Sequence, residues 1–509
     1  MTALSSSSAV AVVGSGAMGA GIAQIAAAAG HPVMLYDARE DAPSKAIDHI
    51  RESFRKERDK GRMNASDADS AAARLTPVTS LEPMTCAQLV IEAIVEDLDA
   101  KRHLFTTLEA IVGGDCILAS NTSSLSITAL AAGLHKPERV VGMHFFNPAP
   151  RMALVEVVSG LATDVALAQT VYDTAAAWGK SPVYTKSTPG FIVNRVARPF
   201  YSEALRLLQE QVADAATLDA VMRECGGFRM GPFELMDLIG HDVNFAVTQS
   251  VFRGYFNDPR FTPSVIQREL VDAGWLGRKS GRGFYVYGDG APLPPPATEG
   301  PAPVPKRVVA RQTWSPADAI VARLSGSPVA IERRPRASDG APLFEVDGTW
   351  IYLADGRSAT RIANETEYPD VVVLDVALDF AEATRVALAR ADRCSTSAFQ
   401  AAVGMFQAAQ FAVSVLRDVP GMAVMRTVAM LANEAADAVN QGVCSADAVD
   451  IAMQKGVNYP RGPLAWADAI GAGRIRNVLH HLAAHYGEDR YRISPLISRL
   501  VWTGEGLHA

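Results

Sequence analysis

Val10-Ala11-Val12-Val13-Gly14-Ser15-Gly16-Ala17-Met18-Gly19-Ala20-Gly21 is the stretch that decides the fold of this 509-residue chain. Residues 9–13 form a short β-rich apolar run that ends on glycine, and residues 20–29 are small, apolar and helix-prone. A glycine turn between a strand and a helix is a seat for a dinucleotide pyrophosphate. Gly14 allows the tight turn, Gly16 lets the phosphates approach backbone N–H groups, and Gly19 lets helix and strand pack closely. The helix N-terminus then favours the anion. Gly14, Gly16, Ala17, Met18 and Gly19 are therefore the expected phosphate seat. A second apolar run, residues 33–36, ends at Asp37, 23 positions past Gly14. Asp37 can accept hydrogen bonds from the adenosine ribose and would repel a 2′-phosphate, which favours NAD over NADP; Arg39 weakens that preference. A tight turn with no ligand would use the same glycines.

Outward from this turn, residues 89–95, 116–119 and 140–146 read as buried strands, with a helix over 100–112 among the helical stretches between them. Alternating β and α predicts an α/β Rossmann unit, a doubly wound parallel sheet with helices on both faces. Past Pro189 the apolar spacing turns helical over 191–273, predicting an all-α domain, and residues 274–283 are too rich in glycine to continue it. Residues 288–305 are dense in Pro, Gly and Ala, the composition of an extended, semi-rigid linker. From 307 to about 417 β and α signals return, with a strand over 371–375 and a helix over 379–391. No glycine turn opens this region.

The last segment repeats the earlier helical one. Pro189-Gly190-Phe191-Ile192-Val193-Asn194-Arg195 aligns with Pro420-Gly421-Met422-Ala423-Val424-Met425-Arg426. Gly231-Pro232-Phe233-Glu234-Leu235-Met236-Asp237 aligns with Gly462-Pro463-Leu464-Ala465-Trp466-Ala467-Asp468 at the same offset of 231, as do Glu203/Glu434 and Asp219/Asp450. The chain therefore carries a duplication, and the middle segment reads as the remnant of a second N-terminal unit. The expected division is an NAD-binding domain at 8–188, a helical domain at 189–287, a linker at 288–306, a reduced Rossmann-like domain at 307–417 and a second helical domain at 418–509, the repeat of 189–280. The two helical domains are expected to pair within the chain, which leaves a further homodimer open.

With 20% charged and 49% hydrophobic residues the chain has the composition of a soluble globular protein. A net charge of −7 argues against a nucleic-acid partner. Cys86, Cys116, Cys225, Cys394 and Cys444 are widely spaced and form no C-x-x-C pair, so neither a disulfide framework nor a thiolate metal site is expected. The N-terminus has no basic leader and the chain no long apolar run, which predicts a cytoplasmic protein without a membrane segment.

His144 ends the strand Val141-Gly142-Met143-His144-Phe145, the end at which parallel sheets bind ligands. Glu156 lies in the next β-rich run, 154–158, near enough in sequence for the two strands to be neighbours. A histidine with a carboxylate on one ring nitrogen is a poised base at the other, which oxidation of a secondary alcohol needs. A structural His–Glu pair would look the same. Ser120-Asn121-Thr122-Ser123-Ser124 after a strand suits ligand contacts or a helix cap equally, and Asn194 is an amide near the start of the helical domain.

Gly14-x-Gly16-x-x-Gly19, Glu92-Ala93-Ile94-Val95-Glu96, Asn121-Thr122-Ser123-Ser124, His144-Phe145-Phe146-Asn147-Pro148, Pro189 to Arg195 and Gly231-Pro232-Phe233-Glu234 together resemble the L-3-hydroxyacyl-CoA dehydrogenase family, in order and spacing. The longer layout resembles the branch that acts on 3-hydroxyadipyl-CoA in bacterial phenylacetate degradation. The resemblance implies that His144 is the base for the 3-hydroxyl, held by Glu156, and that Ser123 and Asn194 bind the substrate oxygen. It implies that Glu96, Lys101, Ser123 and Asn147 contact the ribose and nicotinamide side of NAD, and that Ser53 and Lys60 meet the CoA moiety. The run 51–62 holds six basic residues, which suits a 3′-phosphate or, more usually, a solvated face of paired charges. Met425 stands where Asn194 has its counterpart, so one active site is expected, in the N-terminal half. The expected reaction is NAD-dependent oxidation of a (3S)-3-hydroxyacyl-CoA, adipyl or butyryl, in β-oxidation-like aromatic or fatty acid degradation. Its rivals are a dehydrogenase of a 3-hydroxy acid without CoA and a non-catalytic NAD-sensing scaffold.

Overall fold

Val10–Val13 form β1, buried along its whole length because it is flanked by strands on both sides and helices on both faces. In the computed structural model, which describes residues 3–288, 292–312, 315–334 and 340–508, the first sheet continues through seven more strands. They are β2 (Val33–Tyr36), β3 (Leu75–Pro77), β4 (Leu89–Glu92), β5 (Ile117–Ser120), β6 (Val140–Phe145), β7 (Leu154–Ser159) and β8 (Ser181–Lys186). The strand order is β3-β2-β1-β4-β5-β6-β7-β8. The first six of these are mutually parallel, and the helix Ala17–Ala28 follows the glycine turn. Two glycines there are sterically required. A Cβ on Gly19 would lie 1.8 Å from the Gly14 carbonyl oxygen, and one on Gly14, whose φ is +102°, would lie 2.4 Å from the Ala93 oxygen.

β7 breaks the expected all-parallel sheet by running antiparallel to β6. Only residues 146–153 connect the two strands. A parallel return needs a crossover of a dozen or more residues, so the chain can only turn back. The reversal sets His144 directly opposite Glu156.

The second sheet holds β9 (Arg307–Ala310), β10 (Ala330–Arg333), β11 (Phe344–Val346), β12 (Thr349–Leu353), β13 (Val371–Leu374), β14 (Arg385–Arg390) and β15 (Ala412–Val415), in the order β10-β9-β11-β12-β13-β14-β15. β13, β14 and β15 begin 231 positions after β6, β7 and β8, and the helix Thr396–Ala408 lies 231 positions after Val165–Ala177. The repeat therefore reaches back through the middle segment, a reduced Rossmann unit. The helix expected over 379–391 is corrected: Arg385–Arg390 is a strand, paired antiparallel with β13 and parallel with β15. Its Val386, Leu388 and flanking alanines are all buried between neighbours, and sheet pairing overrides the local helical pattern.

The chain divides into two units. The first is Met1–Arg195 with Gln441–Val457. Here the helix Ala446–Gly456 packs on β7 and β8, where Lys186 N donates to Val443 O at 2.9 Å. The second is Val196–Asn440 with Asn458–Ala509. In it the helix Ala215–Glu224 packs on β14, with Arg385 Nε 2.9 Å from Glu224. Each sheet is thus covered by a helix from the other copy of the repeat. Also in the second unit, the helices Arg198–Gln209 and Val424–Asn440 pack together around Glu203, whose buried carboxylate accepts a hydrogen bond from Arg426 Nε at 2.7 Å and forms an ion pair with Arg490 Nη2 at 3.1 Å. The proline-rich stretch is a strap on this unit: Glu299 N donates to Val413 O, and Ala302 N to Gln407 Oε1. Its residues 289–291, like 313, 314 and 335–339 of the middle segment, lie outside the described residues.

Candidate active site

The helix Ala17–Ala28 starts at Gly16 with no side-chain cap, so its first-turn N–H groups have no protein oxygen to bind. Such a terminus fits a pyrophosphate. Nothing lies within 4 Å of where a Cβ on Gly16 would sit, which leaves the phosphate seat open. Asp37 Oδ2 accepts from Ser15 N at 2.9 Å and Ser15 Oγ at 2.8 Å, and Oδ1 accepts from Arg39 N at 3.0 Å and Arg39 Nε at 3.1 Å. Partial burial opposes its charge. The hydrogen bonds from Arg39 and Ser15 prevail and hold the carboxyl well below the usual range. Arg39 is therefore engaged with Asp37 and is not a free cation for a 2′-phosphate.

Beside the turn lies a cleft of about 420 Å³ lined by Gly16, Ala17, Gln24, Arg39, Lys45 and His49, among others. Lys45 and His49 escaped the sequence reading. They lie four residues apart on the helix Ala42–Asp59, a spacing that puts both on one face, and only the fold shows which face meets the turn. Ser53, one turn further, accepts a hydrogen bond from Gln24 Nε2 at 3.1 Å. Of the six basic residues in the run, Arg51, Arg55, Lys56, Arg58 and Arg62 pair with Asp48, Glu52, Glu52, Asp59 and Glu57. Lys60, the C-cap, is exposed and has no ion pair among the described residues.

A second network holds the loop after β5. Lys101 Nζ lies 2.6 Å from Glu92 and 3.2 Å from Glu96, and its side chain is 1% exposed. Glu96 Oε1 accepts from Thr122 Oγ1 at 2.6 Å, Ser123 N at 2.9 Å and Ser124 N at 3.1 Å. Burial works against the Glu96 charge, while Lys101 and these donors hold the pKa below its ordinary value. Lys101 thus offers no free ammonium; it fixes Glu96, and Glu96 fixes the Asn121-Thr122-Ser123-Ser124 turn. Asn121 Oδ1 accepts from Phe145 N at 2.9 Å, tying this turn to the strand that carries His144.

His144 Nδ1 lies 2.6 Å from Glu156 Oε2, and both side chains are buried. Glu156 Oε1 accepts from Ile192 N and Val193 N, each at 3.0 Å. The carboxylate has its second oxygen fully used, so the first is aimed at the imidazole. With Nδ1–H donated to Glu156, Nε2 carries the lone pair of a general base. Phe146 and Phe191 pack on the ring at centroid distances of 4.5 and 5.8 Å. Asn194 Nδ2 donates to Ser123 O at 3.4 Å, which brings those two predicted residues together. Asn147 is exposed beyond the end of β6. Among the described residues no group of His, Cys, Asp and Glu is arranged to hold a metal.

The second copy lacks this chemistry. At the offset of 231, His144 becomes Asp375, Glu156 becomes Ala387 and Asn194 becomes Met425. Asp375 is fully buried and accepts from Ala423 N, Val424 N and Met425 N at 2.7–2.9 Å. One acid therefore holds the helix start that Glu156 holds in the first copy, with no imidazole, and burial pushes its carboxyl up to about 6.

A family model described as 3-hydroxyacyl-CoA dehydrogenase, NAD binding domain, matches residues 9–188. One described as 3-hydroxyacyl-CoA dehydrogenase, C-terminal domain, matches twice, at 190–287 and 421–506. A third, 3-hydroxybutyryl-CoA dehydrogenase reduced Rossmann-fold domain, matches 351–420. The chain is 44% identical to 3-hydroxyadipyl-CoA dehydrogenase of Escherichia coli over 96% of both proteins. It is similar to the crystal structure of 3-hydroxybutyryl-CoA dehydrogenase from Escherichia coli, with a TM-score of 0.89, 43% identity, and 98% of this chain and 99% of that one covered. The shorter (S)-3-hydroxybutyryl-CoA dehydrogenase from Ralstonia eutropha matches 55% of this chain and 99% of its own, with a TM-score of 0.54 and 40% identity.

Proposed function

Because the chain belongs to the 3-hydroxyacyl-CoA dehydrogenase family, and is an NAD-dependent oxidoreductase of 3-hydroxyacyl-CoA thioesters, we propose that its one active site is the His144–Glu156 pair and that its substrate is 3-hydroxyadipyl-CoA. NAD supplies the hydride acceptor. His144 Nε2 takes the proton of the 3-hydroxyl as the C3–H bond breaks, and Glu156 stabilises the imidazolium that results. Asn194 and Ser123 orient the substrate oxygen. Asp37 favours NAD, Glu96 and Asn147 face the ribose and nicotinamide side, and Lys101 acts through Glu96. Ser53 and Lys60 meet the CoA portion, with Lys45 and the His49 imidazole also lining the cleft.

The observation that carries the chemistry is the anchoring of Glu156 by Ile192 N and Val193 N, which leaves a single oxygen for His144. The full-length likeness to a 3-hydroxyadipyl-CoA dehydrogenase supports the dicarboxylic substrate, and with it a cytoplasmic place in phenylacetate or related degradation. 3-Hydroxybutyryl-CoA is the second reading, supported by the structure from the same organism. Initial rates at the NADH absorbance band test both. The dicarboxylic thioester should show the higher kcat/KM, and a higher value for 3-hydroxybutyryl-CoA would reverse the assignment. His144→Gln should lose turnover on both while still binding NADH.

A further inference from the structure

In the second unit, a cavity of about 510 Å³ is lined by the helix Arg198–Gln209, by Thr248, by the segment Phe261 to Val265 and by Arg490. Its volume lies in the range of small-molecule sites, about 300–1,000 Å³. Three guanidinium groups reach it and two are compensated. Arg206 pairs with Glu210 at 3.2 Å and with Glu488, and Arg490 pairs with Glu203 at 3.1 Å. Arg198 has no carboxylate partner among the described residues. Its Nη1 donates to Thr248 Oγ1 at 3.0 Å, the Tyr201 ring lies 4.9 Å from its guanidinium carbon, and its Nε has no hydrogen-bond partner. The residue is only 5% exposed. The Ser264 hydroxyl, also at the cavity, is buried and unpartnered as well.

A buried charge without a partner opposes folding by several kcal/mol of desolvation, roughly, unless something satisfies it. Here one positive charge and one hydroxyl are left over in the same cavity, beside the apolar side chains of Leu205, Phe261 and Val265. A monoanion on an aliphatic chain would balance the charge and cover those surfaces, whereas a phosphate dianion would leave negative charge in excess. We propose that this cavity binds a carboxylate carried on a short aliphatic chain, with Arg198 as its counter-ion and Ser264 as a second donor. The ligand that matches a single uncompensated guanidinium is a free short-chain aliphatic monocarboxylate.

The test uses the full-length chain, wild type against Arg198→Met, in calorimetric titrations with hexanoate and with inorganic phosphate. A charge-assisted hydrogen bond is worth ~1.5–3 kcal/mol, so loss of Arg198 should weaken hexanoate binding by about tenfold or more. If wild type binds no hexanoate, binds phosphate at least as tightly, or loses no hexanoate affinity in Arg198→Met, the proposal is overturned. Should that variant fail to fold, Ser264→Ala, which removes a donor and no charge, should weaken hexanoate binding about fivefold, and no movement overturns the proposal equally.

Discussion

Glu156→Gln is nearly isosteric, yet the surroundings of Glu156 make its effect severe. Ile192 N and Val193 N both donate to Oε1, and a glutamine can receive them only with its carbonyl oxygen. That orientation turns the amide NH₂ toward His144 Nδ1, where the carboxylate oxygen stood at 2.6 Å. Nδ1 must then accept, the ring proton moves to Nε2, and the lone pair that takes the substrate proton is gone. Flipping the amide would restore the tautomer but leave two buried N–H groups facing a donor, at about 1–3 kcal/mol each. Both arrangements lose. The corresponding acid-to-amide change in Ser-His-Asp triads lowers kcat about 10⁴-fold, or ~5 kcal/mol at ~1.36 kcal/mol per decade, and a fall of 10³–10⁴ is expected here. Turnover is followed by NADH absorbance, NADH affinity by fluorescence titration, and stability by the urea midpoint, the last two staying close to wild type. A kcat within tenfold of wild type would refute the tautomer argument, and an equal collapse of NADH binding would show that Glu156 acts through the fold.

Lys101→Met leaves Glu92, a fully buried carboxylate, without its cation. It should destabilise the first unit by about 3–5 kcal/mol, read as a lower urea midpoint; an unchanged midpoint contradicts the burial argument. Gly19→Ala would put a Cβ 1.8 Å from the Gly14 oxygen and should abolish NADH binding in the fluorescence titration. Asp37 is held below its ordinary pKa, so its contacts with Ser15 and Arg39 are fully present above about pH 3.9 and are lost only as pH falls below that value. The preference for NAD over NADP should stay flat from pH 8 to 5 and fall in Asp37→Ala; a preference that titrates between pH 5 and 7 would implicate another group.

The glycine turn, the early strands and the His144 motif were legible because each is local: a β-run ending in glycine and an acid 23 positions on report directly on the turn they form. Glu156 was legible through the short 146–153 connection, although the strand reversal it forces was not drawn from it. Residues 379–391 misled because an Ala- and Arg-rich run has helical propensity, and only pairing with β13 and β15 makes it a strand. The offset of 231, carried back from Pro420, would have aligned Val371-Val372-Val373-Leu374-Asp375 with Val140-Val141-Gly142-Met143-His144 and exposed the lost histidine. The pairing of the basic run with its own helix, the faces of Lys45 and His49, and the uncompensated charge on Arg198 are tertiary facts with no sequence signal.

The helix Ala446–Gly456, seated on β7 and β8, sets the order in which the protein can be finished during synthesis. The last strand of the N-terminal sheet ends at Lys186, but the helix that covers its edge leaves the ribosome some 260 residues later. At about 5–20 residues per second, that is a wait of about 13–50 seconds with Leu154 and its neighbours uncovered. Until then the cofactor-binding half is a nascent chain with an open flank, and a premature stop anywhere before residue 446 leaves that flank open permanently.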